Sequence, residues 1–247
     1  MSGETATINN WDSPEHDCKK LLTSGIIKFE QRKNMNYEIL APGMVYYKKA
    51  IPDPEYTILT IEHIQKELAM GTESSAQRWH EWNGANPDTE KFCIRHFIQD
   101  PNKINNNDKL FNEMKLVYDN IFNGINNSFI HYSTSLYPAS ARNIKSSEGL
   151  LSILKYSNAG YLPQHQDQGV SSRVLSTVGY LNDNYSGGEI HFPYVNVTVK
   201  PEAGSVIFFP SNFVYVHEVR PMISGTRYAI PQWYHSLREP RLSTGEE

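Results

Sequence analysis

The chain has 247 residues, a length at which single β-sandwich or barrel domains are common, so one domain is expected. Its 23 lysine and arginine residues against 27 aspartate and glutamate residues give a net charge of −4, which excludes a general attraction to nucleic acid. The first twenty residues contain no apolar run of signal-peptide length, and no apolar cluster approaches the roughly 20 residues that cross a bilayer, so the sequence favours a cytoplasmic protein without membrane contact.

The N-terminal half combines polar segments with predicted helices. Residues 1–40 are polar and irregular and are interpreted as an N-terminal extension. Residues 44–48 have β-forming character, and a Pro-Asp-Pro segment then opens a helix predicted at about residues 55–70. Residues 71–91 carry glycine, proline and many polar side chains, which predicts a long loop.

A second helix is predicted at about residues 108–128, after a possible strand at residues 92–98. An asparagine or aspartate at 107 or 108 can cap this helix. Five apolar residues recur at helical spacing, which predicts one buried face: Leu110, Met114, Val117, Ile121 and Ile125.

From Leu150 onward the sequence changes to short runs rich in Ile, Val, Tyr and Phe, separated by turn residues. Helices followed by many short strands indicate an α+β fold whose second part is a sandwich or jelly roll with the N-terminal helices packed outside. We expect a single domain at residues 41–240, with its functional motifs in residues 150–236 and a tail at 241–247.

His165 and Asp167 alternate with glutamines, and in a strand this spacing places both side chains on one face. The two cysteines, Cys18 and Cys93, are far apart and support neither a disulfide framework nor a cysteine-based zinc site, so a metal would need histidine and carboxylate ligands. Two such ligands and a third from another strand form the facial triad of non-haem iron(II) oxygenases. Alone, a His-x-Asp pair is weak evidence, because it occurs by chance in many proteins, and a structural or solvated role is then the favoured interpretation.

A second cluster about fifty residues later supplies the third ligand, His217, and a fixed positive charge, Arg227. If residues 221–225 form a hairpin turn, these two side chains lie near each other on antiparallel neighbours. A guanidinium matches a carboxylate in two parallel hydrogen bonds, so Arg227 beside an iron site suits the far end of a dicarboxylic co-substrate. Without the two histidines, an ordinary ion pair would be the simpler interpretation of Arg227.

The stretch from about Leu150 to His235 resembles the catalytic core of the prolyl 4-hydroxylase-type iron(II)- and 2-oxoglutarate-dependent dioxygenases. The resemblance covers about a third of the chain. It depends on Tyr156, nine residues before His165, on the Gly-Tyr-Leu-Asn segment at 179–182, on the Gly-Gly-Glu-Ile-His-Phe-Pro segment at 187–193 and on the segment from His217 to Arg227. A double-stranded β-helix, or jelly roll, is the fold that it implies.

The same resemblance implies roles for three aromatic residues. Tyr180 would donate a hydrogen bond to the distal carboxylate of 2-oxoglutarate, Tyr156 would line the co-substrate pocket, and Trp233 would wall the cavity. Strand parity agrees for Trp233, since it shares a face with Arg227 if that strand is regular. Core aromatic packing is the alternative for all three. The chain departs from the family in having Leu162 where an aromatic is usual, and Arg227 rather than lysine indicates a closer likeness to soluble, intracellular prolyl hydroxylases.

The chemistry that the resemblance implies is hydroxylation of a substrate carbon, with conversion of 2-oxoglutarate to succinate and carbon dioxide. Iron(II), 2-oxoglutarate, dioxygen and L-ascorbate as reductant are the expected cofactors and co-substrates, and the expected substrate is a prolyl residue in a peptide or protein. Trp79 and Trp82 in the predicted loop are candidate substrate contacts, because an indole face packs well on a proline ring. Their spacing also fits a simple anchor of the loop to the core.

Three other functions are compatible with some or all of the same residues. A zinc hydrolase could have the same ligands but gives no reason for Arg227 and Tyr180. A non-catalytic jelly-roll binding module would not need an intact ligand set. The same oxygenase chemistry on a free amino acid or another small molecule fits every motif, and the sequence does not reveal the oligomeric state.

Overall fold

The computed structural model describes residues 35–70, 80–81, 89–93, 108–141, 144–146, 151–169 and 172–237, and every structural statement here concerns them. The strands, in chain order, are β1 (Tyr37–Ala41), β2 (Met44–Tyr47), β3 (His80–Glu81), β4 (Thr89–Cys93), β5 (Ile144–Ser146), β6 (Ser152–Tyr156), β7 (Leu162–His165), β8 (Arg173–Tyr180), β9 (Ser186–Gly187), β10 (Ile190–Phe192), β11 (Val197–Val199), β12 (Val206–Pro210), β13 (His217–Val219), β14 (Met222–Ser224) and β15 (Arg227–Ser236).

Both predicted helices are present. Helix α1 (Pro54–Met70) has Pro54 at its first position, where the missing amide hydrogen costs nothing, and Asp53 O accepts hydrogen bonds from the Thr57 amide and hydroxyl, both at 3.0 Å. Helix α2 (Asp108–His131) extends three residues beyond the predicted end, and all five of its predicted apolar positions are buried. A π-helical turn (Tyr132–Leu136) and the short helix α3 (Pro138–Ala141) follow.

A nine-stranded sheet has the order β1-β2-β12-β8-β15-β6-β4-β3, with β5 paired to the far part of β15. A second sheet of four short strands has the order β11-β10-β13-β7, and β14 pairs with β9 as a separate ribbon. Neighbours in these sheets are antiparallel and mostly distant in the chain, as when β15 inserts between β6 and β8.

The large sheet is covered on both faces, because alternate residues of its strands enter two different cores. Val206 and Phe208 of β12 pack in the cluster that contains the inner residues of α1 and α2. Ile207 and Phe209 point the other way, into a cluster shared with Phe192 of the small sheet. The fold therefore has three layers, with the helices outside and the second core between the two sheets.

Two local predictions were wrong. Residues 71–91 were expected to form a loop, but β3 and β4 pair antiparallel within and beyond this segment; residues 71–79 and 82–88 lie outside the described part. The expected hairpin joining His217 to Arg227 is also absent, since β13 belongs to the small sheet and β15 to the large one. The connection instead crosses between sheets through β14, which pairs with β9.

The chain divides into two units, Met1–Asn34 and Met35–Glu247, and all the elements above lie in the second. Strand β1 begins at Tyr37, so it crosses the predicted domain boundary at residue 40. The predicted strand at residues 92–98 begins earlier, at Thr89, and its part beyond Cys93 lies outside the described residues. None of the described helices is long and apolar enough to cross a membrane.

Candidate active site

Three potential metal ligands converge at one end of the space between the sheets. His165 ends β7, His217 begins β13, and the two residues are direct partners in the antiparallel register. Asp167 Oδ1 lies 3.6 Å from His165 Nε2, and Asp167 Oδ2 lies 3.8 Å from His217 Nε2. One potential ligand atom from each residue lies within 4.8 Å of the other two. The group is compact enough for all three side chains to bind one cation.

The convergence of His165 and Asp167 does not come from a regular strand. Strand β7 ends at His165, and Asp167 stands in the bend that follows. The alternation predicted the correct outcome, two side chains side by side, but the carboxylate reaches its position through the turn.

Hydrogen bonds orient all three side chains. His165 Nδ1 lies 2.9 Å from Pro163 O and His217 Nδ1 lies 3.1 Å from Tyr215 O; a carbonyl only accepts, so each ring donates from Nδ1 and leaves Nε2 facing the site. Asp167 Oδ2 accepts a hydrogen bond of 2.7 Å from the Ser176 hydroxyl. Such supporting contacts are typical of metal sites, because they fix the tautomer and the direction of each ligand.

The site keeps Asp167 and His217 in the forms that bind a cation. Burial opposes the ionisation of Asp167, but the hydrogen bonds from His165 and Ser176 and the charge of His217 outweigh it and lower the Asp167 pKa to about 2. Burial among Phe192 and Phe209 lowers the pKa of His217 to about 4. For His165, burial lowers the pKa, yet the contacts with Asp167 and Pro163 O prevail and raise it above its ordinary value.

Arg227 lies deeper in the same space, and its side chain is only 1% exposed. Its guanidinium carbon lies 4.8 Å from the ring centre of Tyr156 and 5.1 Å from that of Tyr180. Among the described residues no carboxylate pairs with Arg227, and Arg227 Nε and Tyr180 Oη make no hydrogen bond. A buried cation without a counter-ion is costly, so this arrangement suits an anionic ligand.

Strands β8 and β15 connect the ligand group to Arg227. Ser176, which contacts Asp167, and Tyr180, which contacts Arg227, stand four residues apart on one face of β8, roughly 13 Å along the strand. Trp233 of β15 is the register partner of Ser176, so its side chain leaves the sheet on the same side. The predicted placement of Trp233 on the face of Arg227 therefore agrees with the structure.

Trp233 is partly exposed at the end of the space that holds the ligand group. The Arg173 guanidinium lies 4.0 Å over its indole ring and donates a 3.4 Å hydrogen bond to Asp167 O. The other two tryptophans that were candidate substrate contacts, Trp79 and Trp82, lie outside the described residues.

The sequence reasoning missed three residues of the site. Ser176 could have been found, since it shares strand parity with Tyr180 on β8. Arg173 and Tyr185 gave no such signal: Arg173 reaches the site by stacking on a distant tryptophan, and Tyr185 lies in the irregular segment between β8 and β9.

Comparison with known proteins identifies the segment that carries this site. Residues 151–235 match the family model of the 2OG-Fe(II) oxygenase superfamily. All the described candidate residues fall within this segment, and the resemblance to the oxygenase family is confirmed. The first 150 residues lie outside the match.

A curated relative of the oxygenase segment comes from Acanthamoeba polyphaga mimivirus and is named “Putative prolyl 4-hydroxylase”. It is 26% identical over 109 residues, which cover 36% of this chain and 45% of the relative. The match thus spans less than half of the length of that protein.

Two solved structures share the fold. The first is a prolyl hydroxylase from Trichoplax adhaerens in complex with a peptide of the hypoxia inducible factor oxygen degradation domain; it has a TM-score of 0.56 at 16% identity and covers 87% of this chain and 94% of its own. The second is an oxidoreductase of the 2OG-Fe(II) oxygenase family from Burkholderia pseudomallei, with a TM-score of 0.53 at 14% identity, covering 86% and 92%. The sheet-rich α+β architecture is therefore that of this group of enzymes.

Proposed function

We propose that this chain is an iron(II)- and 2-oxoglutarate-dependent oxygenase with a double-stranded β-helix core, and that it hydroxylates prolyl residues in a peptide or protein. The observation that carries the proposal is the pairing of a His165, Asp167 and His217 ligand group with a buried, uncompensated Arg227 in the same inter-sheet space. The donor set fits iron(II), and the orphan guanidinium fits a carboxylate.

Iron(II), together with 2-oxoglutarate and dioxygen, supplies the oxidising chemistry, in which the oxo acid becomes succinate and carbon dioxide and one oxygen atom enters the substrate. The residues of the chain bind and orient. His165, Asp167 and His217 would hold the ion. Arg227 and Tyr180 hold the distal carboxylate, and Tyr156 packs against the guanidinium. L-ascorbate is the proposed reductant that keeps the ion in its divalent state.

Arg227 also separates this function from the alternatives. A zinc hydrolase with these ligands has no need of a buried cation on the inner side of the metal. A non-catalytic jelly roll would gain nothing from orienting the Nε2 atoms of two histidines toward a carboxylate. Both alternatives leave Arg227 as a buried charge without compensation.

Support for a prolyl substrate is independent of the metal. The mimivirus relative is named for this activity. Trp233 presents a partly exposed indole beside the ligand group, and an apolar five-membered ring packs well on such a surface. Trp79 and Trp82 stay candidates for the same purpose.

The substrate proposal is tested by incubating a panel of proline-containing peptides with the protein, iron(II), 2-oxoglutarate and ascorbate. Mass spectrometry should find one added oxygen per modified site, and fragmentation should place it on proline. The His217→Ala variant is the control, since it removes one of three ligands and should give no product. If only a free amino acid or another small molecule is hydroxylated, the prolyl substrate is wrong and the oxygenase chemistry stands.

A further inference from the structure

Tyr185 is a third tyrosine beside Arg227, in addition to Tyr156 and Tyr180. Its side chain is 5% exposed and belongs to the core between the sheets. A Cβ atom at Gly188 would lie 3.1 Å from Arg227 Cδ and 3.4 Å from Tyr185 Cε2, so the arginine stem and the tyrosine ring meet over this glycine. The glycine is what allows the two side chains to come together.

The hydroxyl of Tyr185 has no hydrogen-bond acceptor among the described residues, since the polar group beside it is the Arg227 guanidinium, which can only donate; the hydroxyl of Tyr180 makes no hydrogen bond there. Five other buried tyrosines differ in this respect, because their hydroxyls contact a backbone group or a side chain: Tyr46 (Glu202 N), Tyr47 (His131 Nδ1), Tyr132 (Gly43 O), Tyr215 (Pro42 O) and Tyr228 (Glu62 Oε1). Both orphan phenols therefore lie at Arg227, and leaving a buried hydroxyl unpaired costs about 1–3 kcal/mol.

Tyr185 is held in place by its surroundings. Lys200 Nζ donates a 2.8 Å hydrogen bond to Tyr185 O and lies 5.6 Å from the centre of the ring. On the other side, a Cβ atom at Gly225 would lie 3.0 Å from Tyr185 Cα, so the backbone approaches this residue closely. The backbone of Tyr185 is therefore held on both sides.

The charge of Arg227 and burial act on Tyr185 in opposite directions. Burial raises the pKa of the Tyr185 hydroxyl, and Arg227 lowers it by less, so the pKa stays above its ordinary value. The phenol is protonated at neutral pH and is available as a donor. An ionised carboxylate accepts up to about four hydrogen bonds, of which one guanidinium fork satisfies two.

We propose that Tyr185 donates a hydrogen bond to the distal carboxylate of the 2-oxo acid, alongside Arg227 and Tyr180, and so makes the pocket selective for a dicarboxylate. This inference rests on the proposed function. A monocarboxylate of the same length would leave Arg227 and both phenols unpaired in a buried pocket. Sites of this kind discriminate strongly against a ligand that lacks the matching polar group.

The test is the equilibrium affinity of Tyr185→Phe for 2-oxoglutarate, measured by calorimetry with Mn²⁺ in place of iron so that no turnover occurs. We expect the affinity to fall roughly tenfold or more, because a hydrogen bond to a charged group is lost. The affinity for 2-oxopentanoate, which lacks the distal carboxylate, should stay the same. The selectivity between the two acids should therefore fall by the same factor.

Tyr46→Phe is the matched control, because it removes a nearby buried phenol that already accepts a hydrogen bond within the fold, from Glu202 N. It should leave the affinity for 2-oxoglutarate unchanged. Both variants should be folded, since each keeps its aromatic ring. Thermal unfolding without ligand checks this.

Unchanged 2-oxoglutarate binding by Tyr185→Phe would overturn the inference, as would an equal loss of affinity for both acids, which would indicate a general packing role. Failure of the proposed function has a different signature. In that case the unaltered protein with Mn²⁺ would not bind 2-oxoglutarate, and Arg227→Ala would make no difference.

Discussion

Asp167 shows how contacts of a few ångströms decide the state of a single group. Its carboxylate is nearly buried, yet contacts with both histidines and with Ser176 keep it ionised far below neutral pH. His165 is the ligand of the three that holds a proton most readily, because its pKa is raised while that of His217 is lowered to about 4. Proton competition for the metal should therefore occur at His165.

This difference predicts the pH dependence of metal binding. As the pH falls through the raised pKa of His165, the imidazolium must release its proton before it can bind, so the affinity for Mn²⁺ should decrease. Between about pH 5 and 6, where His217 and Asp167 are already deprotonated, close to one proton should be released per ion. Calorimetric titrations in two buffers of different ionisation enthalpy measure this number. Release of two protons, or an unchanged value in His165→Ala, would contradict the assignment.

Ser176 should contribute to metal affinity although it is not a ligand. Its hydroxyl donates to Asp167 Oδ2 and lies 2.8 Å from the buried Ser211 hydroxyl, so Ser176→Ala leaves the carboxylate less well oriented. Loss of such a supporting contact typically weakens metal binding roughly 10- to 100-fold. Ser128→Ala, which removes an equally buried hydroxyl bonded within α2, should bind Mn²⁺ normally. Equal affinities for both variants would show that Ser176 has only a packing role.

At this scale the sequence identified the residues whose chemistry is distinctive. Two histidines, one aspartate and one arginine at characteristic spacing marked the site. Ser176, Arg173 and Tyr185 are common residue types, and their importance comes from partners between 9 and 60 positions away in the chain: Asp167 for Ser176, Trp233 for Arg173 and Arg227 for Tyr185. Apart from the strand parity that Ser176 shares with Tyr180, no local pattern carries that information.

At the scale of elements, the segment from β13 to β15 positions Arg227 by changing sheets. Asn182, two residues after the end of β8, holds the backbone where β15 begins. Asn182 Nδ2 donates to Thr226 O at 2.6 Å, and Asn182 Oδ1 accepts from Tyr228 N at 3.0 Å. One side chain thus ties the backbone on both sides of Arg227. The depth at which β15 presents its guanidinium depends on this contact.

Asn182→Ala should therefore weaken 2-oxoglutarate binding without changing the affinity for Mn²⁺. Two hydrogen bonds to the backbone beside Arg227 are lost, at about 1 kcal/mol each, and we expect a roughly tenfold decrease in affinity for the acid. Asn184→Ala is the control, because Asn184 is exposed and only accepts from Asn182. A parallel loss of metal and 2-oxoglutarate binding would indicate general disruption of the fold rather than a displaced Arg227.

The packing of α2 on the chain after β2 gives a prediction about stability. A Cβ atom at Gly124 would lie 2.7 Å from Ala50 O and 2.8 Å from Ile51 Cα, both backbone atoms that cannot easily move. In Gly124→Ala the steric overlap should lower the free energy of unfolding by about 1–3 kcal/mol. The higher helix propensity of alanine offsets roughly 1 kcal/mol of this loss. Asn123→Ala, its exposed neighbour, should be neutral or stabilising in the same denaturant titration. A more stable Gly124→Ala variant would contradict the close contact.

The two long helices were predictable because their apolar residues repeat locally. Two other features were not predictable: the absence of a hairpin between His217 and Arg227, and the residue at which β7 ends. Both depend on strand pairing across the fold. Residues 220–226 have the turn residues of a hairpin, yet β13 pairs with β7 and β10 and β14 pairs with β9. The competition between these partners is decided by tertiary packing.

At the scale of the whole molecule, the three layers place the helices and the candidate site on opposite faces of the large sheet. The helices pack on one face of the large sheet, while the ligand group and Arg227 use the other face, where the small sheet closes the space. The α+β class and the order of helices and strands followed from the sequence pattern. The sheet order did not, because strands 50 to 160 residues apart become neighbours, such as β2 and β12 or β6 and β15.

We infer above all that His165, Asp167 and His217 hold an ion at which 2-oxoglutarate is consumed. The direct measurement is the amount of succinate formed from 2-oxoglutarate under ¹⁸O₂ with iron(II) and ascorbate. We expect succinate that carries one labelled oxygen, abolished in His217→Ala, Asp167→Ala and His165→Ala while the variants stay folded. Iron-dependent succinate at the unaltered rate in His217→Ala, or no labelled succinate from the unaltered protein with any peptide or small-molecule substrate, would contradict it.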